Sequence, residues 1–166
     1  MATVSRFAKR CYNGKPDFSG NFQQIGGFIG TGDQSNYLKF VAIDHFAGEL
    51  ELVLEENDVV ASSSYIQADD LFDVPAGSQI LLRLEIDINA GTATPTAIYE
   101  TGAGNTVVTG AAVDLAGTSV LEAIQGNASV NGQSTGLAVG LYSSNTGQSP
   151  ANTFSAVFDN VEISAV

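Results

Sequence analysis

Residues 79–89 alternate between apolar and polar side chains at nearly every position. Successive side chains of a β-strand point to opposite faces of a sheet, so this period of two predicts a strand with one buried face. Residues 49–55 repeat the pattern, with Glu49, Glu51 and Glu55 predicted to face water. The apolar faces of the two strands are predicted to carry Leu50, Leu52, Leu54, Ile80, Leu82, Leu84, Ile86 and Ile88.

Shorter apolar or alternating segments, separated by turn sequences, occur along the rest of the chain. Eighteen glycines and pairs such as Asn13-Gly14 and Asn131-Gly132 mark the turns. Only residues 114–125 have the apolar spacing of a short helix. So many short strands favour two packed antiparallel sheets or a barrel in a single domain, residues 1–166, and periodicity does not choose between them. The further strands are predicted at residues 3–10, 22–30, 36–43, 59–66, 96–101, 106–109, 136–143 and 153–164.

The chain carries 18 acidic and 6 basic side chains, a formal charge of −12. A surface of this sign repels phosphate backbones and anionic lipids, so neither nucleic-acid binding nor membrane insertion is expected. No segment has the ~20 consecutive apolar residues of a membrane-spanning helix. Cys11 is the only cysteine, which excludes a disulfide within the chain, and a single histidine excludes the usual His/Cys zinc site.

Two segments carry motifs that are typical of one superfamily. Residues 22–41 read FQQIGGFIGTGDQSNYLKFV, in which a glutamine, a glycine and a strand precede an acidic turn and Asn-Tyr-X-Lys. Residues 136–145 read GLAVGLYSSN and are followed by FSAVFDNVEI at residues 154–163. Both segments resemble concanavalin A-like lectin/glucanase domains, in particular laminin G-like jelly-roll modules of bacterial extracellular glycan-handling proteins. The resemblance covers residues 22–163 and implies a two-sheet antiparallel β-sandwich located outside the cell or on its surface.

Domains of this superfamily usually have one or two further strands before the Asn-Tyr hairpin, whereas only about 20 residues precede it here. The resemblance therefore predicts that a first strand is missing or is supplied by a partner. A missing first strand would leave an open sheet edge, and an open edge favours homo-oligomers.

The resemblance also implies a structural calcium ion near the chain termini. Asp159 matches the aspartate that helps to hold the ion in many relatives, and Asp17 would supply a second oxygen if its turn lies beside the last strand. Calcium takes six to eight oxygen ligands, which a sandwich edge can provide. The alternative is that Asp159 caps a turn or accepts a hydrogen bond from a backbone amide.

For carbohydrate binding, aromatic faces stack on sugar rings while amide and carboxylate groups bind hydroxyls. Strand tyrosines are more often packing residues, and the lack of tryptophan disfavours a flat cellulose-type platform. The sequence is still compatible with a site at the loop ends that binds a chain end or a short oligosaccharide. The candidate faces are Tyr37, Tyr65, Tyr99 and Tyr142, and the candidate polar partners are Gln34, Asn36 and Asn145.

Carboxylates spaced two apart on one strand occur at Glu49/Glu51 and at Glu85/Asp87. Hydrolases of the superfamily need a third acid and aromatic subsites, which neither pair has. The sequence therefore favours a non-catalytic carbohydrate-binding module of a larger protein. The alternative is a structural or adhesive module that binds protein. Aromatic side chains that converge in one groove would favour sugar binding, and an unpaired strand edge would favour assembly with protein. Two carboxylic acids in one cleft would instead favour a hydrolase.

Overall fold

The computed structural model describes residues 8–11, 23–43, 49–67, 80–130, 133–134, 136–145 and 158–162. Most of them belong to short strands, as the alternating pattern predicts. The elements are β1 (Ala8–Cys11), β2 (Gln23–Gly30), β3 (Tyr37–Ile43), β4 (Glu49–Glu56), β5 (Val59–Gln67), β6 (Ile80–Asp87), β7 (Thr92–Thr101), β8 (Gly104–Thr109), β9 (Val113–Asp114), α1 (Ser119–Ile124), β10 (Ser129–Val130), β11 (Gln133–Ser134), β12 (Ala138–Asn145) and β13 (Phe158–Glu162).

The strands form two main sheets in which every pairing is antiparallel. The six-stranded sheet has the order β13-β1-β6-β7-β8, with β9 paired to β7. The five-stranded sheet has the order β12-β2-β3-β4-β5, and β10 and β11 pair separately. This architecture confirms the prediction of an all-β sandwich of two antiparallel sheets.

One hydrophobic core lies between the two sheets. The predicted apolar faces of β4 and β6 both point into it, and Leu50, Leu52 and Ile86 are completely buried. Burying a side chain of this size contributes about 1.5–3 kcal/mol relative to leaving it exposed. The period of two at residues 49–55 and 79–89 therefore identified one core strand in each of the two sheets.

The short helix falls within the predicted residues 114–125. Thr118 caps it, since its Oγ1 accepts a hydrogen bond of 3.2 Å from the backbone N–H of Leu121. Val120 and Ala123 are buried, and the carboxylate of Glu56 accepts from the backbone N–H of Val120 at 3.4 Å. Of the residues that the structure describes, none belongs to a helix long and apolar enough to cross a membrane.

Strand β7 begins at Thr92, four residues before the predicted start, and it contains Pro95. A proline usually ends a central strand because it has no N–H to donate. Here β9 pairs with β7 at Thr92 and Ala93, and β8 pairs with it from Thr96 onwards, so Pro95 lies at the gap between these two neighbours. The Pro95 carbonyl accepts from Gly110 N–H at 3.0 Å across this gap. The missing donor therefore breaks no strand pairing.

The first and last described strands pair within one chain. β1 lies between β13 and β6, with Cys11 opposite Phe158 and Arg10 opposite Leu81. The parts of the predicted terminal strands at residues 3–7, 153–157 and 163–164 lie outside the described residues. Among the described strands, the edges are β13 on one side and β8 with β9 on the other in the six-stranded sheet, and β12 and β5 in the five-stranded sheet.

Candidate functional site

The face of the five-stranded sheet that points away from the core, here called the outer face, is lined by polar and aromatic side chains. One cross-strand row runs from Tyr142 on β12 through Gly26, Val41 and Glu51 to Tyr65 on β5. Neighbouring strands are about 4.8 Å apart, so the two tyrosines are separated by about 19 Å across the sheet. The outer face thus carries a tyrosine on each of its two edge strands, with Gly26, Val41 and Glu51 between them.

Lys39 lies in the next row of the outer face, and its side chain extends over the residues between the two tyrosines. Its Nζ donates a 3.2 Å hydrogen bond to Gln24 Oε1, lies 3.8 Å from Glu51 Oε2, and is 5.6 Å from the centroid of the Tyr142 ring. These partners belong to three other strands, so one buried ammonium group joins β2, β4 and β12 to β3. The contact with the ring has the geometry of a cation–π interaction, which orients Tyr142.

The prediction that Glu49 and Glu51 face water is wrong. Both lie on the outer face, but each is only 8% exposed. Besides its contact with Lys39, Glu51 accepts a hydrogen bond from the Tyr65 hydroxyl, and Gln67 Nε2 donates to Glu49 Oε1 at 3.2 Å. Because β4 lies between β3 and β5, long side chains from both neighbours cover its carboxylates. Burial, followed by the bond to Glu51, raises the pKa of Tyr65.

At one end of the outer face, three aromatic rings line a groove of about 420 Å³. Phe28 comes from β2, Tyr37 from the first position of β3, and Tyr142 from β12, and all three are half-buried. The Tyr37 hydroxyl donates to Glu55 on the neighbouring strand β4. Burial, and then this bond, raises the pKa of Tyr37 well above its usual value, so the phenol is neutral at physiological pH.

The loop between β2 and β3 forms the polar wall of the groove with Gly32, Asp33 and Gln34. Asp33 Oδ1 accepts from the backbone N–H groups of Ser35 at 3.0 Å and Asn36 at 2.8 Å. Burial alone would raise the pKa of Asp33, but these bonds and those from the side chains of Asn36 and Thr31 lower it below its usual value. The carboxylate is therefore ionised and holds the loop in shape.

Asn36 connects this loop to the turn between β4 and β5. Its Nδ2 donates to both carboxylate oxygens of Asp33, and its Oδ1 accepts from the backbone N–H of Asn57 at 3.0 Å. Asn57 and the next residue, Asp58, both adopt positive φ, and Asp58 N–H donates to the Ser35 carbonyl at 3.1 Å. The Asn36 amide therefore has partners at both ends, which makes it a support for the groove wall.

Of the predicted ligand-binding residues, the structure brings Gln34, Tyr37 and Tyr142 together in the groove. Tyr99 does not join them, because it lies on β7 in the core and is 1% exposed. Asn145 ends β12 opposite Gln23. Sequence reasoning missed Phe28 and Asp33 as lining residues, although both lie within the family-like segment at residues 22–41. Alternation along β2 could have placed Phe28 on the face of the strand away from Ile25 and Ile29, but it could not have placed Phe28 beside Tyr142.

The calcium prediction stays a prediction. Asp159 lies on β13 next to Phe158, whose partner on β1 is Cys11. The end of β1 thus runs beside the strand that carries Asp159, and Asp17 itself lies outside the described residues. Carboxylates suit calcium, but within the described ranges no three His, Cys, Asp or Glu side chains gather closely enough to hold a metal ion.

The second carboxylate pair considered for catalysis also has structural partners. Glu85 forms an ion pair with Arg83 on its own strand. Asp87 Oδ1 accepts from the backbone N–H groups of Asn89 and Ala90, each at 2.9 Å, and so caps the turn after β6. Both residues lie on the six-stranded sheet, away from the groove.

Comparison of the chain with family models, with curated proteins and with solved structures gives no match.

Gly140 lets the Phe28 ring lie against the backbone of β12. A Cβ at residue 140 would lie 2.7 Å from Phe28 Cζ and closer still to Cε1, so the ring would have to move. We expect Gly140→Ala to push the ring towards the groove and to cost about 1 kcal/mol of stability. Thermal unfolding followed by circular dichroism measures the loss. Gly136→Ala is the control, because a Cβ there meets no atom within 4 Å; an equal loss in both variants would contradict the assignment.

Asp33 makes stability depend on pH in the acid range. The pKa of Asp33 is lower in the folded protein than in the unfolded chain, where it is about 4. The ionised carboxylate therefore contributes fully to the free energy of unfolding above about pH 4, and this contribution is lost as the pH falls through the lower pKa of the folded protein. We expect Asp33→Asn to cost about 0.5–1 kcal/mol at neutral pH, because the loop is exposed and screened. Urea unfolding at neutral pH and below pH 4 should show the difference from wild type shrinking with acidity. An unchanged difference would contradict this role.

Proposed function

We propose that this protein is a non-catalytic carbohydrate-binding module of a larger secreted or cell-surface protein. The observation that carries the proposal is the convergence of the Phe28, Tyr37 and Tyr142 rings in one groove beside the exposed side chain of Gln34. Convergent aromatic side chains in a single groove are the feature that separates a sugar site from a surface used only for assembly.

The chemistry of the groove suits a short stretch of a sugar chain. Aromatic faces pack against the C–H faces of a sugar ring, and the hydroxyls need a few fixed polar partners. Gln34 can both donate and accept hydrogen bonds, and Asp33 presents a carboxylate that is already ionised. The volume of about 420 Å³ lies within the range of about 300–1,000 Å³ that is usual for small-molecule sites.

The family resemblance supports the same site. Five of the lining residues lie in the segment at residues 22–41, and the sixth, Tyr142, lies in the segment at residues 136–145. The two segments that resemble concanavalin A-like domains are therefore the two that build the groove, on neighbouring strands β2 and β12. The jelly-roll connection, the extracellular location and a structural calcium ion are parts of this proposal that come from the resemblance.

The carboxylates favour binding without hydrolysis. Glycoside hydrolysis needs two carboxyl groups flanking the scissile bond, one of them a general acid with a raised pKa. Among the described residues that line the groove, Asp33 is the sole carboxylic acid, and its pKa is lowered. An ionised aspartate that already accepts backbone hydrogen bonds is a poor proton donor.

Affinity electrophoresis against a panel of soluble polysaccharides tests the proposal. We expect one class of glycan, neutral because the protein is strongly acidic, to retard the protein in the gel. Repeating the gels with calcium and with chelator shows whether a metal ion contributes. Circular dichroism of the same sample confirms that the protein is folded. Folded protein that no glycan retards would contradict the proposal.

A structural or adhesive role is the second candidate, and the exposure of strand β5 favours it. Several of its apolar side chains are accessible at a sheet edge, as expected for a surface that assembles with protein. A negative glycan screen together with self-association would support this role.

A further inference from the structure

Strand β12 is an unprotected sheet edge in the part of the chain that the structure describes. Its register with β2 is regular from Ala138 to Asn145, without a bulge, and among the described strands it pairs with β2 alone. It contains no charged residue and no proline. Natural edge strands usually carry one of these protections. Leu141 is 47% exposed, and Leu137, directly before the strand, is 41% exposed. The strand is therefore open to pairing with another chain.

The sequence around β12 is nearly symmetric about Val139. Residues 136–142 read GLAVGLY. If two copies pair antiparallel with Val139 opposite Val139, Leu137 of each copy meets Leu141 of the other. Paired residues in this register differ by an even number of positions, so each pair shares one face of the sheet. Val139 packs against the core, which places the aliphatic pairs on the inner face, where each contributes about 0.2–1 kcal/mol. One edge thus supplies both halves of a two-fold interface.

The charge distribution favours a second copy at this edge. Residues 123–158, which include β12, carry no acidic or basic side chain, although the chain as a whole has a charge of −12. The neighbouring strand β2 is also uncharged, and Asp33 on the loop after it is hydrogen-bonded within that loop. Asp159 and Glu162 on β13 belong to the other sheet, and packed sheets lie about 10 Å apart. Copies that pair through β12 therefore bring two neutral strands together.

The same pairing places a groove residue of one copy beside the groove of the other. Tyr142 of one copy lies opposite Gly136 of the other, so Ala138 is its diagonal neighbour at about 7–8 Å. Ala138 borders the groove, because a Cβ at Gly32, which lines the groove, would lie 3.5 Å from the Ala138 Cβ. Tyr142 of the second copy therefore extends the groove of the first beyond Gly32.

We propose that two copies of this chain associate by antiparallel pairing of their β12 edges around a two-fold axis at Val139. The two five-stranded sheets then form one continuous sheet, and the axis is perpendicular to it. Both outer faces consequently lie on the same side, and the two grooves adjoin across the axis. The consequence for ligands rests on the proposed sugar-binding function: an oligosaccharide long enough to cross the axis contacts both grooves and gains affinity over a short one.

Sedimentation velocity from low micromolar to several hundred micromolar protein tests the pairing. Wild type should shift from monomer to dimer with concentration, and more readily at high salt, which screens the repulsion between two acidic copies. Leu137 and Leu141 are exposed, so the monomer should tolerate a charge at either position. We expect L137E and L141K each to weaken dimerisation about tenfold or more, because pairing would bury an unpaired charge against a leucine.

An equimolar mixture of L137E and L141K tests the register. With Val139 on the axis, the two introduced charges face each other at one end of the interface and have opposite signs, so the mixture should form a dimer that neither variant forms alone. The matched control is V107K, because Val107 is a 61% exposed aliphatic residue on another edge strand, β8. This variant should dimerise like wild type. Circular dichroism confirms that each variant is folded.

Wild type that stays monomeric at every concentration would overturn the proposal, as would dimerisation of L141K at wild-type affinity. Calorimetric titration with a short and a long oligosaccharide of the class that retards the protein then separates this proposal from the proposed function. L141K should bind the short one as wild type does and lose the gain, at least tenfold, that wild type shows for the long one. If no glycan binds wild type, the proposed function fails, and sedimentation alone still decides the pairing.

Discussion

Replacing Lys39 with methionine should lower the free energy of unfolding by about 2–3 kcal/mol. The substitution keeps most of the apolar stem but leaves Glu51 as a buried carboxylate without its cation and Gln24 Oε1 without its donor. Removing one partner of a buried ion pair usually costs about 3–5 kcal/mol. The lower figure applies here because the Tyr65 hydroxyl still donates to Glu51. Urea unfolding followed by circular dichroism measures the loss, since the chain has no tryptophan.

The second ion pair of the described chain supplies the control for Lys39. The Lys39 and Glu51 side chains are 10% and 11% exposed, against 27% and 36% for Arg83 and Glu85. Arg83→Met should therefore cost less than about 1 kcal/mol, because solvent already screens that pair. Adding Glu51→Gln to Lys39→Met should recover at least half of the loss, because no charge is then left unpaired. Equal losses for Lys39→Met and Arg83→Met would contradict the buried network.

Replacing Tyr142 with alanine should weaken glycan binding about thirtyfold. Truncating an aromatic side chain at the centre of a site commonly costs about 2 kcal/mol, and every 1.4 kcal/mol is tenfold in affinity. Tyr142 lines the groove, and its ring is oriented by Lys39. Tyr142→Phe should retain most of the affinity, since the ring and its contact with the ammonium group are kept. Calorimetric titration with an oligosaccharide of the class that retards the protein measures both variants.

Tyr65→Ala is the matched control for Tyr142→Ala. Tyr65 lies on the same outer face and in the same cross-strand row, but on β5, outside the groove. We expect affinity within about twofold of wild type, and Tyr37→Ala should resemble Tyr142→Ala instead. A loss with Tyr65→Ala as large as that with Tyr142→Ala would place the sugar elsewhere on the outer face.

The sequence by itself determined the all-β class, the position of the core strands and the short helix. Alternation over residues 49–55 and 79–89 settles which side chains share a face, because the period of a strand is two wherever it lies. The apolar spacing within residues 114–125 was enough to indicate a short helix. The family-like segments also contained every residue that lines the groove, although only Gln34, Tyr37 and Tyr142 were singled out.

Only the tertiary structure decided which strand faces are exposed to solvent and which side chains contact one another. Tyr99 and Tyr142 both lie on strands, yet one fills the core and the other lines the groove. Glu51 looked solvated because its own strand alternates, but Lys39 and Tyr65 from the two neighbouring strands cover it. The physical reason is register. Alternation relates residues within one strand, whereas the neighbours across strands depend on how the sheet pairs, and that pairing is set by turns and by packing of the whole core.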